Sequence, residues 1–449
     1  MRAWHGRLTP MTPETRYART TDGTHVAYQV NGEGPVDIVM LRAWHSNLDH
    51  EWVDPVLSGV HRRLGAVGRV IRLDRRGSGL SDRFDPSALP TVEARVDDMR
   101  AVLDAAGSER AVLVGLAHGA ALCAVFAATY PGRTAGLVIY SPPHMLVGLG
   151  DPQQVRAYGE ALVDTWGTPG GQPWIELAAP SRAHDAAFRQ WIQEDQVQSG
   201  TGAEAAAQWR LVSETNIDGI LPTIHVPTLV LWRRGSPNAG PYIAERIPGA
   251  ATTELPGEDH IMISGDTRPW LAAVEAFVEG TQGHDLETDR VLATVMFTDI
   301  VGSTERAAAL GDRDWRALMD AHHAAIRREL ARFRGREIDT AGDGFFATFD
   351  GPARAIRCAA GIREAVGDLG LQLKVGLHAG ECERVGTGLR GVAVHIGARI
   401  GALAKADQIL VSSTVRDLVA GSGIGFEDAG EHDLKGVPEQ WHLYRVASV

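Results

Sequence analysis

The sequence has few lysines, few cysteines and no excess of positive charge, and the last two of these absences each exclude a class of protein. Its 449 residues carry a formal net charge of -12, and only three of the 44 basic residues are lysines. An acidic chain lacks the basic face that contacts with nucleic-acid phosphates require, so we expect no nucleic-acid partner. The three cysteines are too few and too widely spaced to form a disulfide framework or a zinc site.

Long apolar runs are also scarce. Residues 1–16 contain no apolar segment of signal-peptide length. Residues 112–131 are apolar apart from His118, but their internal glycines and strand-turn-helix pattern favour a buried unit over a membrane span. We therefore expect a cytoplasmic protein without a membrane span.

The chain is long enough for about two or three domains, and its pattern changes once. After a tail of residues 1–16, residues 17–280 alternate short apolar strands with helical segments, which is typical of a mostly parallel α/β sheet covered on both faces. Within them, residues from about 144 to 223 are helical in pattern and contain four tryptophans, which indicates a lid inserted over the sheet. Residues 281–290 are polar and unpatterned and are interpreted as a linker. Residues 291–449 show an α+β pattern with hairpins.

The first part of the chain lacks a serine where its pattern would place one. The segment "VLVGLAHG" has the spacing of a GxSxG turn, in which a nucleophilic serine lies between a strand and a helix, but the middle residue is Ala117. Together with "DRRGSGLSD" and "LPGEDHI", this turn resembles the α/β-hydrolase family over roughly 260 residues. The resemblance implies the family's fold, with the catalytic acid at Ser236 and the base at His260. Because alanine cannot attack a carbonyl and Ser236 is not an acid, only His260 matches its catalytic role.

We expect this degenerate site to be inactive. Rescue would need Ser46, Ser78 or His118 as the nucleophile, and none of them occupies the apex of the turn, where the oxyanion amides would converge. A sheet, a tryptophan-rich lid and a pocket between them favour a sensor for a lipophilic or aromatic ligand, and a scaffold for folding and dimerisation is the alternative. His260 is either a ligand contact or a remnant loop histidine.

The second part carries two carboxylates in motifs that suit a metal-bound nucleotide. Asp299 ends a predicted strand in "MFTDIVGST", and Asp343 lies at the tip of a predicted hairpin in "DTAGDGFF". If the strand lies beside the hairpin, the two carboxylates meet at one edge, where their oxygens suit Mg²⁺ or Mn²⁺ carrying a nucleotide's phosphates. Amides at the start of the next helix suit the phosphates themselves. These amides belong to Val301, Gly302, Ser303 and Thr304.

With "GLHAGE", "GVAVHIGARIGALA" and "HDLKGVPEQWHLYRV", these motifs resemble the class III nucleotidyl cyclase domain over the whole second part. The resemblance implies a ferredoxin-like α+β fold, two metal ions at Asp299, Ile300 and Asp343, and a homodimer with its sites at the interface. The transition-state arginine falls on Arg399, and the family's asparagine is replaced by His395 on the same helix face. The implied reaction is attack of the ribose 3′-hydroxyl on the α-phosphate, which releases pyrophosphate.

The positions that read the base differ from those of adenine-selective members of the family. Such members carry lysine and aspartate where this sequence has Asp339 and Gly388. An ionised Asp339 only accepts hydrogen bonds, either from the amino group of adenine or from two donors on guanine. His395 either holds the ribose as asparagine would or brings pH dependence near neutrality, and Lys435 either contacts the terminal phosphates or is a surface lysine. We expect an ATP cyclase. A GTP cyclase, a nucleotide-binding pseudoenzyme and a serine hydrolase with an appended regulator are the alternatives.

Overall fold

A computed structural model describes residues 12–234, 238–282, 289–386 and 388–449. The strands of the first part of the chain are β1 (Arg16–Arg19), β2 (His25–Asn31), β3 (Asp37–Leu41), β4 (Arg69–Leu73), β5 (Ala111–Leu116), β6 (Thr134–Tyr140), β7 (Thr228–Arg233) and β8 (Ala251–Leu255). They form one sheet in the order β1-β2-β4-β3-β5-β6-β7-β8, in which all neighbours from β4 onward are parallel. Every residue of the central strand β5 is buried, which explains its continuous apolar sequence. The predicted, mostly parallel sheet is confirmed.

Helices cover this sheet and form its lid. They are α1 (Pro55–Gly65), α2 (Val92–Ala105), α3 (Gly119–Thr129), α4 (Pro152–Thr165), α5 (Ile175–Ala178), α6 (Ala186–Ser199), α7 (Gly202–Glu214), α8 (Gly240–Arg246) and α9 (Arg268–Gly280). The lid helices α4 to α7 lie between β6 and β7 in the chain. Side chains of Asp151, Asp185 and Thr201 cap the N-termini of α4, α6 and α7, so local sequence signals set where these helices begin.

The second part forms a separate sheet. Its strands are β9 (Arg290–Ile300), β10 (Arg336–Ala341), β11 (Gly344–Phe349), β12 (Leu373–Val385), β13 (Gly388–Arg390), β14 (Gln408–Ser412), β15 (Gly425–Asp433) and β16 (Gln440–Ser448). Its helices are α10 (Ser303–Leu310), α11 (Asp312–Arg332), α12 (Pro352–Gly367), α13 (Val392–Leu403) and α14 (Ser413–Leu418). The strand order is β10-β11-β9-β12-β14-β16-β15, with β13 paired to β12. This mixed sheet with its helices confirms the α+β prediction.

The two faces of the second sheet are covered differently. On β9, Leu292, Met296 and Ile300 belong to the apolar core that contains α11 and α12. On the opposite face, α13 packs so closely that a Cβ at Gly397 would come within 2.6 Å of Val295. The helical segment after β9 consists of two helices, because the chain turns at Gly311 with a φ of +75°.

The two parts of the chain share a continuous apolar core. One cluster of buried side chains runs from the first sheet through α3 to β9, α12 and α14. The 3-10 segment Asp218–Thr223, which leads out of the lid, packs against β9 and β12. Most of the predicted linker, residues 283–288, lies outside the described residues. Among the helices that are described, none is both long and apolar enough to cross a membrane.

Candidate active site

The two predicted metal carboxylates lie at one edge of the second sheet. Asp299 is the penultimate residue of β9, and Asp343 lies in the turn between β10 and β11. β9 and β11 are antiparallel neighbours, with Phe345 paired to Thr298. The backbone N–H of Ile300 donates to the Asp343 carboxylate at 3.2 Å. This pairing brings the two carboxylates together although 43 residues separate Ile300 from Asp343 in the chain.

A lysine that sequence reasoning missed lies at the same edge. Lys374 on β12 is the cross-strand partner of Asp299, and its Nζ lies 2.7 Å from an Asp299 oxygen. The Asp299 side chain is 50% exposed, so solvent screens this ion pair and a competing cation can displace it. The signal that would have found Lys374 is the register between β9 and β12, which the fold sets.

Helix α11 holds the hairpin that carries Asp343. The His323 Nε2 atom lies 3.1 Å from the carbonyl oxygen of Gly342, the residue before Asp343. Arg327 pairs with Glu337 on β10 at 2.8 Å, and this hydrogen-bonded ion pair lowers the pKa of Glu337 to about 2. Helix α11 therefore contacts the hairpin at its turn and on β10.

The amides predicted to bind phosphate are only partly available. Gly302, with a φ of +66°, turns the chain into α10, whose first residue is Ser303. The first N–H groups of a helix have no intrahelical partner, so those of Gly302, Ser303 and Thr304 are placed to bind an anion. Val301 does not fit this role, because its N–H donates to the carbonyl oxygen of Gln372 at 2.9 Å.

The donor set suits an ion that shares its coordination with a ligand. The Ile300 side chain is buried in the core, so only its backbone can contribute to a metal site. Among the described residues, no group of three or more His, Cys, Asp or Glu side chains could hold a metal ion. Mg²⁺ is commonly bound by one or two carboxylates, with phosphates and water completing its shell, and Asp299 and Asp343 match that pattern.

The other predicted catalytic residues lie elsewhere. His395 and Arg399 are exposed on α13, four residues apart on one face. Within the described part of the chain, no hydrogen bond or ion pair joins either side chain to Asp299 or Asp343. The exposed apolar side chain of Val392 continues the same helix face. One chain thus presents the two halves of the predicted site separately.

The predicted base-reading residues lie on exposed strands. Asp339 is exposed on β10 and pairs with Phe346, next to an irregularity in the ladder that re-aims the strand. Gly388 begins β13 opposite Val385. Lys435 is exposed in the turn between β15 and β16.

The degenerate hydrolase turn keeps its strained backbone. Ala117 has a φ of +49°, a left-handed conformation that costs energy for a residue with a Cβ. Its N–H donates to the carbonyl oxygen of Tyr140 at 2.9 Å, which ties the turn to β6. A Cβ at Gly119 would overlap the carbonyl oxygen of Leu41, so the start of α3 packs directly on the neighbouring strand. Packing around the turn therefore preserves a nucleophile geometry without a nucleophile.

The groups around this turn do not restore the missing chemistry. Burial lowers the pKa of His260 to about 4, with His144 adding to the effect, and burial also lowers the pKa of His118. Ser46 donates to Asp74 at 2.7 Å, and Ser78 donates to the carbonyl oxygen of Ser46 at 3.0 Å, so both hydroxyls are committed to structure. The predicted acid position, Ser236, lies outside the described residues.

The lid tryptophans pack where a pocket was expected. Trp44 contacts Trp166 and Trp209, with ring centroids 5.1 and 5.5 Å apart, and Trp209 also contacts His118 beside the turn. A cavity of about 700 Å³ lies instead between α4 and α7, and Ala117 is not among its lining residues. An indole ring therefore packs against His118 beside the turn, where the pocket between sheet and lid was expected.

Comparison with known proteins identifies both parts of the chain. Residues 287–448 match the family described as adenylate and guanylate cyclase catalytic domain. Residues 47–162 match the family described as alpha/beta hydrolase fold. The protein thus carries an α/β-hydrolase-fold domain at its N-terminus and a class III cyclase-fold domain at its C-terminus.

Individual relatives match one part of the chain each. The putative adenylate cyclase 3 of Rhizobium meliloti (strain 1021) is 27% identical over 165 residues, covering 34% of this chain and 28% of its own length. Epoxide hydrolase B of Mycobacterium tuberculosis (strain ATCC 25618 / H37Rv) is 32% identical over 123 residues, covering 26% of this chain and 31% of its own. The chain therefore spans about a third of the length of these relatives. A thermophilic esterase from Thermogutta terrifontis shares the fold, with a TM-score of 0.50, 20% identity, and coverage of 60% of this chain and 99% of that chain.

Proposed function

We propose that the protein converts ATP to 3′,5′-cyclic AMP and pyrophosphate at sites shared by two copies of the chain. The observation that carries this proposal is the meeting of Asp299 and Asp343 at one sheet edge, beside the first turn of α10. A relative with a matching segment is named a putative adenylate cyclase. A cytoplasmic location accords with an ATP substrate and with three buried cysteines that form no disulfide.

Asp299 and Asp343, with the backbone of Ile300, would hold two divalent cations, Mg²⁺ or Mn²⁺. When bound, such cations lower the pKa of the attacking hydroxyl and offset the charge of the leaving pyrophosphate. Lys374 already offsets the charge of Asp299, and once a metal ion displaces it from that pair its ammonium group would be available to the same phosphates. Lys435 is a further cation proposed for the terminal phosphates.

The amides of Gly302, Ser303 and Thr304 would bind phosphate oxygens at the start of α10. Arg399 would stabilise the charge that develops on the α-phosphate, and His395 would hold the ribose. Because α13 presents both side chains to solvent away from the carboxylates, we assign them to the site of a second copy of the chain.

An apolar face supports this dimer. Phe297 and Phe346 stack at 4.6 Å between ring centroids on the α13 face of the sheet, and both are only partly buried. On α13 itself, Val392 is 62% exposed and Leu403 is 41% exposed. A twofold contact through this face would bury these side chains and bring each α13 towards the other copy's carboxylates.

Base selectivity is expected to be weak. Gly388 has no side chain, and Asp339 can accept from adenine or from guanine. ATP and GTP should therefore be assayed separately with Mn²⁺, measuring cyclic product, with Asp299→Ala and the exposed control Asp314→Ala. Cyclic AMP from the wild type and the control, and none from Asp299→Ala, supports the proposal. Cyclic GMP alone identifies GTP as the substrate, and identical behaviour of Asp299→Ala and the wild type contradicts the catalytic assignment.

A nucleotide-binding pseudocyclase is a second candidate, favoured by one observation. The Lys374 ammonium neutralises Asp299 and competes with a metal ion for that carboxylate. Nucleotide binding without product from ATP or GTP, at saturating Mn²⁺, would support this candidate. A serine hydrolase is disfavoured because Ala117 occupies the nucleophile position.

We further propose that the hydrolase-fold domain is a sensor that binds a small lipophilic ligand. The cavity of about 700 Å³ between α4 and α7 has a size typical of ligand sites and carries the apolar side chains of Met145, Val155 and Trp209. A thermal-shift screen of the full chain against lipid and metabolite libraries tests this role. Binders that lose their effect in Val155→Arg support it, and a persistent absence of binders contradicts it.

A further inference from the structure

A carboxylate of the hydrolase-fold domain caps a helix of the cyclase-fold domain. Helix α12 begins after Gly351, which has no side chain with which to cap it. Glu93 on α2 accepts hydrogen bonds from the backbone N–H groups of Ala353 and Arg354, the latter at 3.3 Å. An acceptor oxygen in this position satisfies N–H groups that the helix itself leaves without partners. The cap that α12 lacks in its own sequence is thus supplied from another domain.

The contact is buried, as a permanent interface requires. Glu93 is only 7% exposed, although glutamate normally lies at the surface. A Cβ at Gly351 would overlap the Glu93 side chain, so glycine at this position allows the carboxylate to reach the helix. An uncapped, buried helix end would leave polar N–H groups without partners.

A second carboxylate of α2 pairs with two cyclase-domain arginines. Asp97 contacts Arg354 and lies 3.0 Å from Arg334. Asp350, at the end of β11, pairs with Arg334 at 3.1 Å and accepts from the Tyr130 hydroxyl at 3.0 Å. Carboxylates and arginines therefore alternate across the interface, and this complementarity fixes how the two domains are aligned.

Apolar packing surrounds these polar contacts. A residual void of only about 20 Å³, roughly one water molecule, remains between the domains. Its walls include Val92, Val96 and Val125 from the first domain, and Leu292, Pro352 and Leu418 from the second. A further contact comes from His225, which follows the 3-10 segment Asp218–Thr223 and lies 2.7 Å from Glu381 on β12.

Helix α12 directly follows the β10–β11 hairpin, whose turn contains Asp343. Strand β11 runs from Gly344, next to Asp343, to Phe349, and Asp350 and Gly351 then lead into α12. β11 is paired with β10 and β9 along its length. A shift at the start of α12 would therefore act on the position of Asp343.

We propose that Glu93 and Asp97 form an interdomain latch through which the hydrolase-fold domain holds α12 and, through β11, positions Asp343. The latch itself depends only on the contacts between α2 and α12. Its effect on Asp343 rests on the proposed cyclase function.

The latch is tested by hydrogen exchange of the full chain, comparing Glu93→Ala, Glu93→Gln and the control Asp104→Ala. Asp104 also lies on α2 but pairs with Arg133 of its own domain at 2.7 Å. We expect exchange at the first amides of α12 to rise about tenfold in Glu93→Ala, because the cap is lost, and to stay unchanged in Asp104→Ala. Glu93→Gln keeps an acceptor oxygen, so its increase should be smaller.

Exchange in Glu93→Ala equal to that in Asp104→Ala would overturn the latch. If Glu93→Ala fails to fold, exchange also rises in the buried strand β5, and Asp97→Ala, which removes the pairing with Arg354 on α12, then decides. A local rise at α12 in Asp97→Ala supports the latch, and no rise there overturns it.

The effect on Asp343 is tested by titrating cyclase activity with Mn²⁺. We expect the Mn²⁺ midpoint of Glu93→Ala to rise about threefold or more over that of Asp104→Ala, since a displaced carboxylate binds metal less well. Faster exchange with an unchanged midpoint would overturn the positioning of Asp343 while leaving the latch. If the wild type forms no cyclic product, the proposed function fails, and exchange still reports on the latch.

Discussion

At the turn of the hydrolase-fold domain, Ala117 keeps a φ of +49° although no nucleophile is present. At the sheet edge of the cyclase-fold domain, Asp299 and Asp343 keep the reactive groups, while His395 and Arg399 face solvent on another surface. The first region has its geometry without chemistry. The second keeps the side chains of the proposed chemistry, but one chain does not bring them together.

The difference shows what maintains each kind of site. The turn is held by core packing, with Gly119 against Leu41 and the Ala117 N–H bonded to β6, so loss of a side-chain hydroxyl leaves the backbone in place. The sheet edge is held by strand pairing and by α11. In the proposed dimer, the other parts of the site, His395 and Arg399, would come from a second copy of the chain.

The largest effect is expected when two inactive variants are mixed, which tests whether two copies of the chain share the proposed cyclase site. We expect Asp299→Ala and Arg399→Ala each to lose at least ~10²-fold in cyclic product formation, because each removes a charge needed in the transition state. Mixed in equal amounts, they should recover about a quarter of wild-type activity, since half of the dimers are mixed and each has one intact site.

Asp299→Ala mixed with Asp343→Ala is the matched control, because both changes fall in the same half of the site. This pair should recover nothing. Recovery by the control pair, or its absence from Asp299→Ala with Arg399→Ala, would contradict the shared site.

The Glu93 contact between the two domains should depend on pH. Burial raises the pKa of Glu93 from 4.5 to about 7, with Asp350 adding to the rise and Arg354 and the α12 N–H groups opposing it. The docked interface therefore favours the protonated acid. Its contribution to stability is greatest below pH 4.5, weakens as the pH rises through the interval to about 7, and is lost above it.

Thermal unfolding midpoints at about pH 5.5 and about pH 8 provide the measurement. We expect the wild type to lose more stability than Glu93→Gln over this range, because glutamine stays neutral. Asp97 and Asp350 are present in both proteins, so their titration largely cancels in the difference. Equal pH dependence of the two proteins would show that Glu93 does not titrate with docking.

The strain at the turn is tested by Ala117→Gly. Removing the Cβ from a left-handed residue should raise the free energy of unfolding by about 1 kcal/mol, measured by urea denaturation. Ala120→Gly, a few residues further on and inside α3, should instead lower it by about 1 kcal/mol. A loss of stability in both variants would mean that the turn is not strained.

The smallest effect is expected from restoring the nucleophile. Ala117→Ser should give no esterase activity above background with a p-nitrophenyl ester, because Ser236 occupies the acid position and burial keeps His260 neutral, with a pKa of about 4. The wild type is the control. Turnover by the serine variant would show that the hydrolase geometry is still ready for catalysis.

Much of the fold was predictable because local patterns carry it. The apolar strands of the first sheet, the capped lid helices and the β10–β11 hairpin all follow from periodicity and turn residues. The helical pattern after β9 continues through Gly311, whose positive φ divides the segment into two helices. Val301 was included among the phosphate-binding amides because its sequence position suggested it. The hydrogen bond from its N–H to Gln372, which excludes that role, is a tertiary contact that no local pattern shows.

The sequence by itself determined the two domain types, the missing nucleophile at Ala117 and the carboxylate motifs at Asp299 and Asp343, because these depend on residue identity within short segments. Only the tertiary structure decided that Lys374 pairs with Asp299 and that Glu93 caps α12. Both contacts join residues far apart in the chain. Strand register and domain packing, which no local pattern encodes, bring them together.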